Sequence, residues 1–497
     1  MVSTQGEWSC KETRRGVEMK SRHTRDSERR HSSARVKNRD TKLALPFGVG
    51  GPCKQLSECR SCPLLPLSPL DQTHYKLRQL NTQLAPVIGS ASFPIKVDPH
   101  RAYSQAYRHT AKPSVRRGNQ DDQLIIGLYQ PGSHHLINLK RCWVQSPLIN
   151  HLIKLIRQEA SRVGIRGYEP GDEEEGRGDQ SVLRYLVIRQ GLSSDALSGL
   201  HETKSAELPA LYLTLIVTHE RRDQIQRLIS QLTRRCPELA GVGVHQNTLS
   251  GNAIFNFDAP THHLWGQHAL ALRVALSDND SMPLALQVSA TSFAQVNPLV
   301  AERAYRAVVS GLNPQPGDLA LDLYCGVGVI GLMLASSARQ HGGALKTLWG
   351  LEETPSSVAD AQANAERLGF SEVRLICGRA EDELPRLTAH ITSSRAAPRR
   401  SSSLIVALNP SRRGCQPRVL ELIADLKPRR IAYMSCHART LTRDLIRLIE
   451  YGYRVIEITL FDMFPGSHHY ETVTILEPNN HESIISSPTE RFESPKT

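Results

Sequence analysis

The stretch Leu321–Gly331, which reads LDLYCGVGVIG, decides the fold of the chain. Its first residues suit a buried strand, and the rest form a Gly-x-Gly-x-x-Gly turn through Gly326, Gly328 and Gly331. Small residues in such a turn let backbone N–H groups approach a bound nucleotide closely. Glu352, 21 residues after Gly331, is placed to accept hydrogen bonds from ribose hydroxyls. The pattern fits a nicotinamide dinucleotide about as well as S-adenosylmethionine.

Strands and helices alternate regularly around that stretch. Candidate strands lie at 319–323, 347–352, 372–377, 404–408, 430–434, 453–460 and 470–476. Candidate helices lie between them and before them, at 299–311, 355–368, 416–426 and 440–450. This alternation predicts an α/β fold with a doubly wound, mostly parallel, Rossmann-like sheet.

The sequence divides into five segments. Residues 1–48 and 478–497 are polar and charged with little apolar periodicity, so we expect disordered tails there. Residues 49–145 carry closely spaced cysteines, and 146–285 mix strand and amphipathic helix patterns, which predicts a central α+β domain. The doubly wound domain occupies 286–477.

Three polar side chains lie at the ends of predicted strands. Cys436 follows the fifth strand and Asn409 the fourth, and ligands of doubly wound sheets bind outside the carboxyl ends of the strands. Cys436 is therefore expected to face the same crevice as Gly326. A lone cysteine is more often a buried structural residue, but Glu471 begins the last strand. Together Cys436 and Glu471 suggest a nucleophile and a general base, with Asn409 orienting a substrate amide or the cofactor.

Four other cysteines have the spacing of a metal site. Cys53, Cys59 and Cys62 are close in sequence, and Cys142 lies 80 residues beyond Cys62. Three close thiols and one remote thiol suit an iron–sulfur cluster or zinc, and we favour either over free thiols.

Net charge and hydropathy indicate the partner and the compartment. The chain carries a formal charge of +12 and a pI near 9.3, which favours a polyanionic partner, although half of the excess lies in residues 1–42. No apolar run is long enough to cross a bilayer, and the first residues do not resemble a secretory signal. We therefore expect a cytoplasmic protein that does not associate with membranes, and a monomer.

Several motifs in this order resemble a known family. They are Ser292–Pro298, the glycine-rich turn, Asn409–Gly414, Ser435 with Cys436, Thr442–Leu445, and Phe461–Pro465 leading to Glu471. The chain is similar, from about Pro52 to Glu477, to the class I RNA (uracil-C5)-methyltransferases, most closely to the RlmC-type branch that modifies bacterial 23S ribosomal RNA.

The resemblance implies a role for each matching residue. Cys436 is implied as the nucleophile and Glu471 as the general base. The residues implied to bind S-adenosylmethionine are Gln295, Tyr324, Gly326, Gly328, Glu352 and Asn409. Residues 49–145 would hold a [4Fe-4S] cluster on Cys53, Cys59, Cys62 and Cys142 and begin an RNA-binding region. The expected product is 5-methyluridine in 23S rRNA.

The proposed nucleophile predicts a property of Cys436, and three other functions remain possible from the sequence. Attack on uracil C6 needs a thiolate, so we expect Cys436 to have a lowered pKa. The alternatives are a uracil-C5 methyltransferase acting on tRNA or another rRNA, an RNA-binding protein that has lost catalysis, and a nicotinamide-dependent oxidoreductase. Ala294, Ser411 and His437 depart from the usual family pattern, which bears on cofactor affinity and on the choice of RNA.

Overall fold

The computed structural model describes residues 53–89, 94–99, 105–118, 124–170, 172, 182–193, 208–256, 258–278, 280, 283–395 and 403–479. The tail predicted at 1–48 lies outside these ranges, as does the tail predicted at 478–497 beyond residue 479. The helices are α1 (Leu56–Cys59), α2 (Pro69–Ile88), α3 (Pro147–Glu159), α4 (Arg222–Arg235), α5 (Pro298–Leu312), α6 (Val329–Gln340), α7 (Pro355–Arg367), α8 (Ala380–Arg395), α9 (Pro417–Asp425) and α10 (Ala438–Glu450), with a short 3-10 helix at Ser161–Val163.

The strands fall into two sheets. They are β1 (Lys96–Val97), β2 (Thr110–Ala111), β3 (Ser114–Arg117), β4 (Leu124–Tyr129), β5 (Leu136–Asn138), β6 (Arg166–Gly167), β7 (Val182–Leu192), β8 (Pro209–His219), β9 (Leu239–Gln246), β10 (Thr261–Gly266), β11 (Ala269–Val274), β12 (Leu284–Ser289), β13 (Leu319–Leu323), β14 (Thr347–Glu352), β15 (Val373–Cys377), β16 (Leu404–Leu408), β17 (Arg430–Ser435), β18 (Tyr453–Phe461) and β19 (Glu471–Pro478).

The eight-stranded sheet confirms the predicted doubly wound fold. Its order is β1-β18-β19-β17-β16-β13-β14-β15, and β17, β16, β13, β14 and β15 run parallel to one another. β19 is antiparallel to both β17 and β18. β13 and β16 are buried along their whole length, as continuous apolar strands covered on both faces must be.

Local sequence explains where several helices begin. Pro69, Pro147 and Pro298 each occupy the first helical turn, where a missing N–H costs nothing. Ser68 precedes the first of these, and its side chain accepts a hydrogen bond from the backbone of Asp71, which caps α2.

Two apolar layers cover the faces of this sheet. One contains Val308 and Met333 from α5 and α6, and the other contains Leu420 and Leu445 from α9 and α10. Because the helices shield both faces, the open ends of the parallel strands are left to form the crevice that ligands use in such folds.

The eleven-stranded sheet forms the central region. Its main path is β10-β9-β8-β7-β3-β4-β5, with β2, β6 and β11 pairing with β7, and β12 pairing with β11. α3 and α4 pack one face of it, burying Ile149, Ile156 and Leu228 completely. The predicted mixture of helix and strand is therefore present in this region.

The N-terminal helix α2 packs on the doubly wound sheet rather than on the central one. Leu80 and Leu84 are fully buried in the same apolar cluster as Leu441 of α10. The hydroxyl of Thr442 in α10 also donates to the backbone oxygen of Gln83 (2.9 Å). The segment after the first cysteines is thus part of the body that carries the crevice.

Candidate active site

The glycine-rich turn after β13 passes through the left-handed backbone region. Gly326 and Gly328 have φ of 57° and 82°, which glycine adopts freely, and Tyr324 has φ of 63° despite its Cβ. The Gly326 N–H donates to Oε2 of Glu352 (3.1 Å), and the Thr354 N–H donates to Oε1 (2.9 Å). The turn and the end of β14 are tied together by a half-buried carboxylate that keeps lone pairs for a ligand.

Sequence reasoning missed Asp322, which lies beneath the turn. Its Oδ2 accepts a hydrogen bond from the Gly331 N–H (2.7 Å), and burial raises its pKa to about 7. A Cβ on Gly331 would lie 3.0 Å from that oxygen, so the third glycine permits the close approach. A carboxylate inside an otherwise apolar strand was the available signal.

Gln295 follows the segment 289–292, which hydrogen bonds attach both to α7 and to the central sheet. Oδ2 of Asp360, on α7, accepts from the Ser292 hydroxyl (2.6 Å) and from the Ser289 N–H (2.7 Å). From the central sheet, the buried Arg189 donates to the backbone oxygens of both serines. These contacts fix the path of the chain toward the half-buried Gln295, and neither Asp360 nor Arg189 carried a sequence motif.

Asn409 lies at the end of β16, beside the end of β13. Its N–H donates to the backbone oxygen of Leu323 (3.3 Å). The loop that follows is fastened by α10, where Arg443 donates to the backbone oxygen of Cys415 (3.0 Å). Asp444, fully buried, accepts from the Cys415 N–H (2.8 Å). The structure therefore brings Asn409 to the same sheet edge as the glycine-rich turn.

Cys436 and Glu471 come from neighbouring antiparallel strands. Ser435, the last residue of β17, pairs in register with Thr472 of β19, and the Thr472 hydroxyl donates to the Ser435 backbone oxygen (3.1 Å). Cys436 and Glu471 are the next residues toward the crevice, so they lie opposite each other. Cys436 is half-buried, whereas Glu471 is only 2% exposed. Cys436 also precedes the N-terminus of α10, whose partial positive charge favours an anion.

The pKa values of this pair differ from the sequence expectation. Burial raises the pKa of Glu471 to about 8, with Arg412 opposing the shift. Burial, and then the charge of Glu471, raise the pKa of Cys436 above its usual value, again opposed by Arg412. The prediction of a lowered Cys436 pKa is wrong for the free protein, because desolvation and a neighbouring carboxylate outweigh the helix terminus and the arginine.

Arg412 is a residue that sequence reasoning left without a role. It lies in the loop after Asn409, and its side chain hydrogen-bonds to Cys436. The backbone oxygen of Arg412 accepts from the Thr440 hydroxyl (3.2 Å) of α10, which fixes the loop at that point. Because the side chain is exposed at its outer end, Arg412 can meet an anionic ligand and the thiol together.

The four sequence-predicted metal ligands come from two segments that hydrogen bonds join. Gln55 donates to the backbone oxygen of Asn138 (3.0 Å) and accepts from the Lys140 N–H (2.9 Å). Asn150 holds the second segment by accepting from the Cys142 N–H (2.8 Å). The loop that carries Cys142 is thereby brought to the segment that carries the other three cysteines.

The four thiols influence one another. Burial, and then the neighbouring Cys142, Cys59 and Cys53, raise the pKa of Cys62 to about 12, with Arg108 opposing the shift. All four are free thiols and half-buried. Among the residues that the structure describes, no group of three or more His, Cys, Asp and Glu side chains has the spacing of a site for a metal ion.

Comparisons with known proteins place the chain in a family. A sequence profile described as tRNA (uracil-5-)-methyltransferase matches residues 273–479. An uncharacterized RNA methyltransferase of Halalkalibacterium halodurans is 30% identical over 437 residues, covering 88% of this chain and 85% of the relative. The chain belongs to the tRNA (uracil-5-)-methyltransferase family. A second uncharacterized RNA methyltransferase, from Clostridium acetobutylicum, is 27% identical, covering 86% of this chain and 83% of the relative.

The fold of this family member also matches a solved structure. The Pyrococcus abyssi tRNA (uracil-54, C5)-methyltransferase in complex with S-adenosyl-L-homocysteine superposes with a TM-score of 0.58 at 19% identity, covering 84% of this chain and 85% of that one. The family and the fold identify the chain as an S-adenosylmethionine-dependent RNA (uracil-5) methyltransferase. The nicotinamide-dependent alternative is thereby removed. Throughout the described part of the chain, every helix is too short or too polar to cross a bilayer.

Proposed function

We propose that this methyltransferase forms 5-methyluridine at one uridine of 23S rRNA, with Cys436 as the nucleophile and Glu471 as the general base. The observation that carries the proposal is the register of β17 and β19, in which Ser435 pairs with Thr472 and a thiol therefore faces a carboxyl group. The covalent mechanism needs the thiol to reach C6 and the carboxyl group to reach the C5 proton of the same uracil ring.

The chemistry follows from the weak nucleophilicity of uracil C5. The Cys436 sulfur adds to C6, and the electron pair displaced toward C5 attacks the methyl carbon of the sulfonium, releasing S-adenosylhomocysteine. Glu471 then takes the proton from C5, the C5–C6 double bond re-forms, and the bond between C6 and sulfur breaks. Glu471 suits this step because its raised pKa, about 8, makes it a stronger base than an exposed glutamate.

Two features of the site favour the thiolate of Cys436 against the effect of burial. The N-terminus of α10 and the Arg412 side chain both favour the anion, while burial opposes it. The thiolate loses its negative charge when it adds to uracil C6. A small thiolate fraction at any moment is therefore enough. Arg412 is proposed to hold that fraction beside C6.

The methyl donor is proposed to bind at the carboxyl ends of β13, β14 and β16. The residues assigned to it are Gln295, Tyr324, Gly326, Gly328, Glu352 and Asn409. The contact of Glu352 with the glycine-rich turn supports this assignment, because a half-buried carboxylate at the end of the second strand suits ribose hydroxyls.

The RNA must present an unstacked uracil, which costs a few kcal/mol and is offset by basic contacts. Lys112 and Arg108 are proposed for such contacts. The Lys112 ammonium lies 5.9 Å from the centre of the Phe255 ring, and burial lowers its pKa to about 8. A phosphate beside Lys112 would restore its full charge, so its contribution grows when RNA binds.

A [4Fe-4S] cluster is proposed on Cys53, Cys59, Cys62 and Cys142. The hydrogen bonds of Gln55 join the loop that carries Cys142 to the segment that carries the other three cysteines, which supports a shared ligand. Since the methyl transfer needs no electron, the cluster would act in structure or in RNA positioning. Iron and acid-labile sulfide measured on protein purified without oxygen test this assignment, and bound zinc without sulfide would contradict it.

We propose 23S rRNA as the target, with 49–145 and 146–285 binding it and 286–477 carrying out the transfer. The four-cysteine set and the resemblance described above support the ribosomal branch. The family as such also includes enzymes of tRNA, so tRNA is the competing substrate.

Mass mapping of RNA incubated with the purified protein and S-adenosylmethionine tests the proposal. We expect one uridine of 23S rRNA to gain one methyl group, and no gain with Cys436→Ala. Cys236→Ala, in the core of the central sheet, is the matched control and should behave as wild type.

The outcomes separate the alternatives. Methylation of tRNA alone keeps the mechanism and rejects the target. Binding of S-adenosylmethionine with no methylation of ribosomal or transfer RNA rejects the proposal in favour of an RNA-binding protein without catalysis.

A further inference from the structure

The turn between β18 and β19 leads directly to Glu471 and is held by the N-terminal segment. Lys76 donates to Oδ1 of Asp462 (2.5 Å) and to the backbone oxygen of Phe464 (3.1 Å). Gln72, one turn earlier on α2, accepts from the Gly466 N–H (2.7 Å). Two residues of one helix therefore hold the first half of the turn, from Asp462 to Gly466.

Further contacts come from residues that precede and follow α2. The Leu64 N–H donates to the backbone oxygen of Gly466 (2.8 Å). Gly466 has φ of 81°, and a Cβ there would lie 3.2 Å from Cδ1 of Leu65. The hydroxyl of Tyr107 donates to the backbone oxygen of Pro465 (3.1 Å). The cysteine-bearing segment and Tyr107 therefore add contacts at Pro465 and Gly466 to those made by α2.

The burial of these groups makes the arrangement specific. Lys76 is fully buried and Gln72 is 2% exposed. A buried ammonium must have its partners, because desolvation without them is costly. The position of Asp462 is therefore dictated by the position of Lys76, and the turn cannot shift without separating the two charges.

The same helix also contacts the element that follows the nucleophile. Gln83, further along α2, accepts from the Thr442 hydroxyl on α10. α10 begins two residues after Cys436. α2 thus contacts both the turn that leads to Glu471 and the helix that follows Cys436.

We propose that Lys76 and Gln72 are positioning residues that hold Glu471 at the C5 proton during the last step of the reaction. The inference rests on the proposed roles of Cys436 and Glu471. Methyl transfer comes before proton removal, so a displaced base leaves the transfer intact. The C5 proton then stays, the sulfur remains bonded to C6, and the methylated protein–RNA adduct accumulates.

Lys76→Met and Gln72→Met test the inference in the full-length protein, with Lys96→Met as the matched control. Lys96 also joins the N-terminal region to β18, through an exposed ion pair with Glu457 (2.7 Å). The substrate is the RNA that the wild-type protein methylates. Turnover, the KM for S-adenosylmethionine and the denaturation-resistant protein–RNA adduct are measured together.

We expect Lys76→Met to lower kcat by about 10- to 100-fold, as displacement of a catalytic group by about 1 Å does. The KM for S-adenosylmethionine should stay unchanged, and the adduct should accumulate as it does with Glu471→Gln. Lys96→Met should match wild type. Adding Lys76→Met to Glu471→Gln should slow adduct breakdown no further, because both changes act on one step.

The opposite results are equally clear. Wild-type turnover, or slow turnover without adduct, in folded Lys76→Met and Gln72→Met overturns the inference. If Lys76→Met does not fold, Gln72→Met decides, since it keeps the ion pair. If the adduct accumulates with Glu471→Gln but not with Lys76→Met or Gln72→Met, only the positioning roles are rejected. No methylation by wild type and no adduct with any variant reject the proposed function as well.

Discussion

Turnover should rise with pH through the pKa of Glu471, because Glu471 removes the C5 proton in the step that completes the reaction. Burial raises that pKa from 4.5 to about 8, so the group is protonated below pH 8 and becomes a base above it. At pH 7 only about one-tenth of such a group is ionised, and its ionised fraction grows about tenfold between pH 6 and pH 7. An exposed glutamate would be fully ionised throughout this range.

Cys436 adds to the same trend. Its pKa is raised, so its thiolate fraction also grows with pH, and both ionisations increase the rate in the same direction. The two groups lie opposite each other, so the measured pKa values belong to the pair rather than to either residue. Alkylation of Cys436 by iodoacetamide without RNA isolates the thiolate, because this reaction needs no base at C5.

The assay is kcat at saturating RNA and S-adenosylmethionine from pH 6 to pH 9, since removal of the C5 proton follows methyl transfer and therefore appears in turnover. Arg412→Gln tests whether these pKa values determine the pH dependence. Arg412 opposes the raised pKa of both Glu471 and Cys436, so its removal should move the rising limb and the alkylation profile to higher pH. A rate that is constant from pH 6 to pH 9 would refute the electrostatic reasoning. So would a pH–rate profile whose rising part lies at the same pH in Arg412→Gln as in the wild type.

Two further variants probe the supports of the site. Asp360→Ala should weaken binding of S-adenosylhomocysteine at least tenfold in calorimetry, since it loses charged hydrogen bonds worth about 1.5–3 kcal/mol each to the segment before Gln295. Glu366→Ala, on the exposed face of the same helix, should leave the affinity unchanged. Cys62→Ser should reproduce the adduct of Lys76→Met and lower the melting temperature, because it removes a ligand of the proposed cluster from the segment beside Gly466. A stable variant with normal turnover would contradict this.

Much of the doubly wound sheet could be predicted because its strands carry continuous apolar runs. β1 was missed because a strand of two residues carries no alternation of polar and apolar side chains. α6 was also missed, because nine of its twelve residues are buried and a helix buried nearly all round shows no polar face. The alternation of strands and helices predicted that most strands run parallel, which placed Asn409 and Cys436 at one edge of the sheet.

The finer parts of the site could not be predicted because they depend on register and on remote partners. Glu471 faces Cys436 only because β19 enters the sheet antiparallel between β17 and β18. The ion pair of Lys76 with Asp462 joins residues separated by 386 positions. Nothing in local periodicity connects such residues. The raised pKa of Cys436 likewise depends on burial, which a strand-end position did not reveal.

The position of α2 explains how a cysteine-rich segment can matter to a reaction that transfers no electrons. The base must reach C5 on a ring already bonded to Cys436, so the separation of base and thiol has to be fixed before RNA arrives. α2 contacts the turn before Glu471 through Lys76 and the helix after Cys436 through Gln83. The cysteine-bearing residues lead into the start of α2 and touch Gly466. A group bound to those thiols would therefore stiffen the support on which the spacing of base and nucleophile depends.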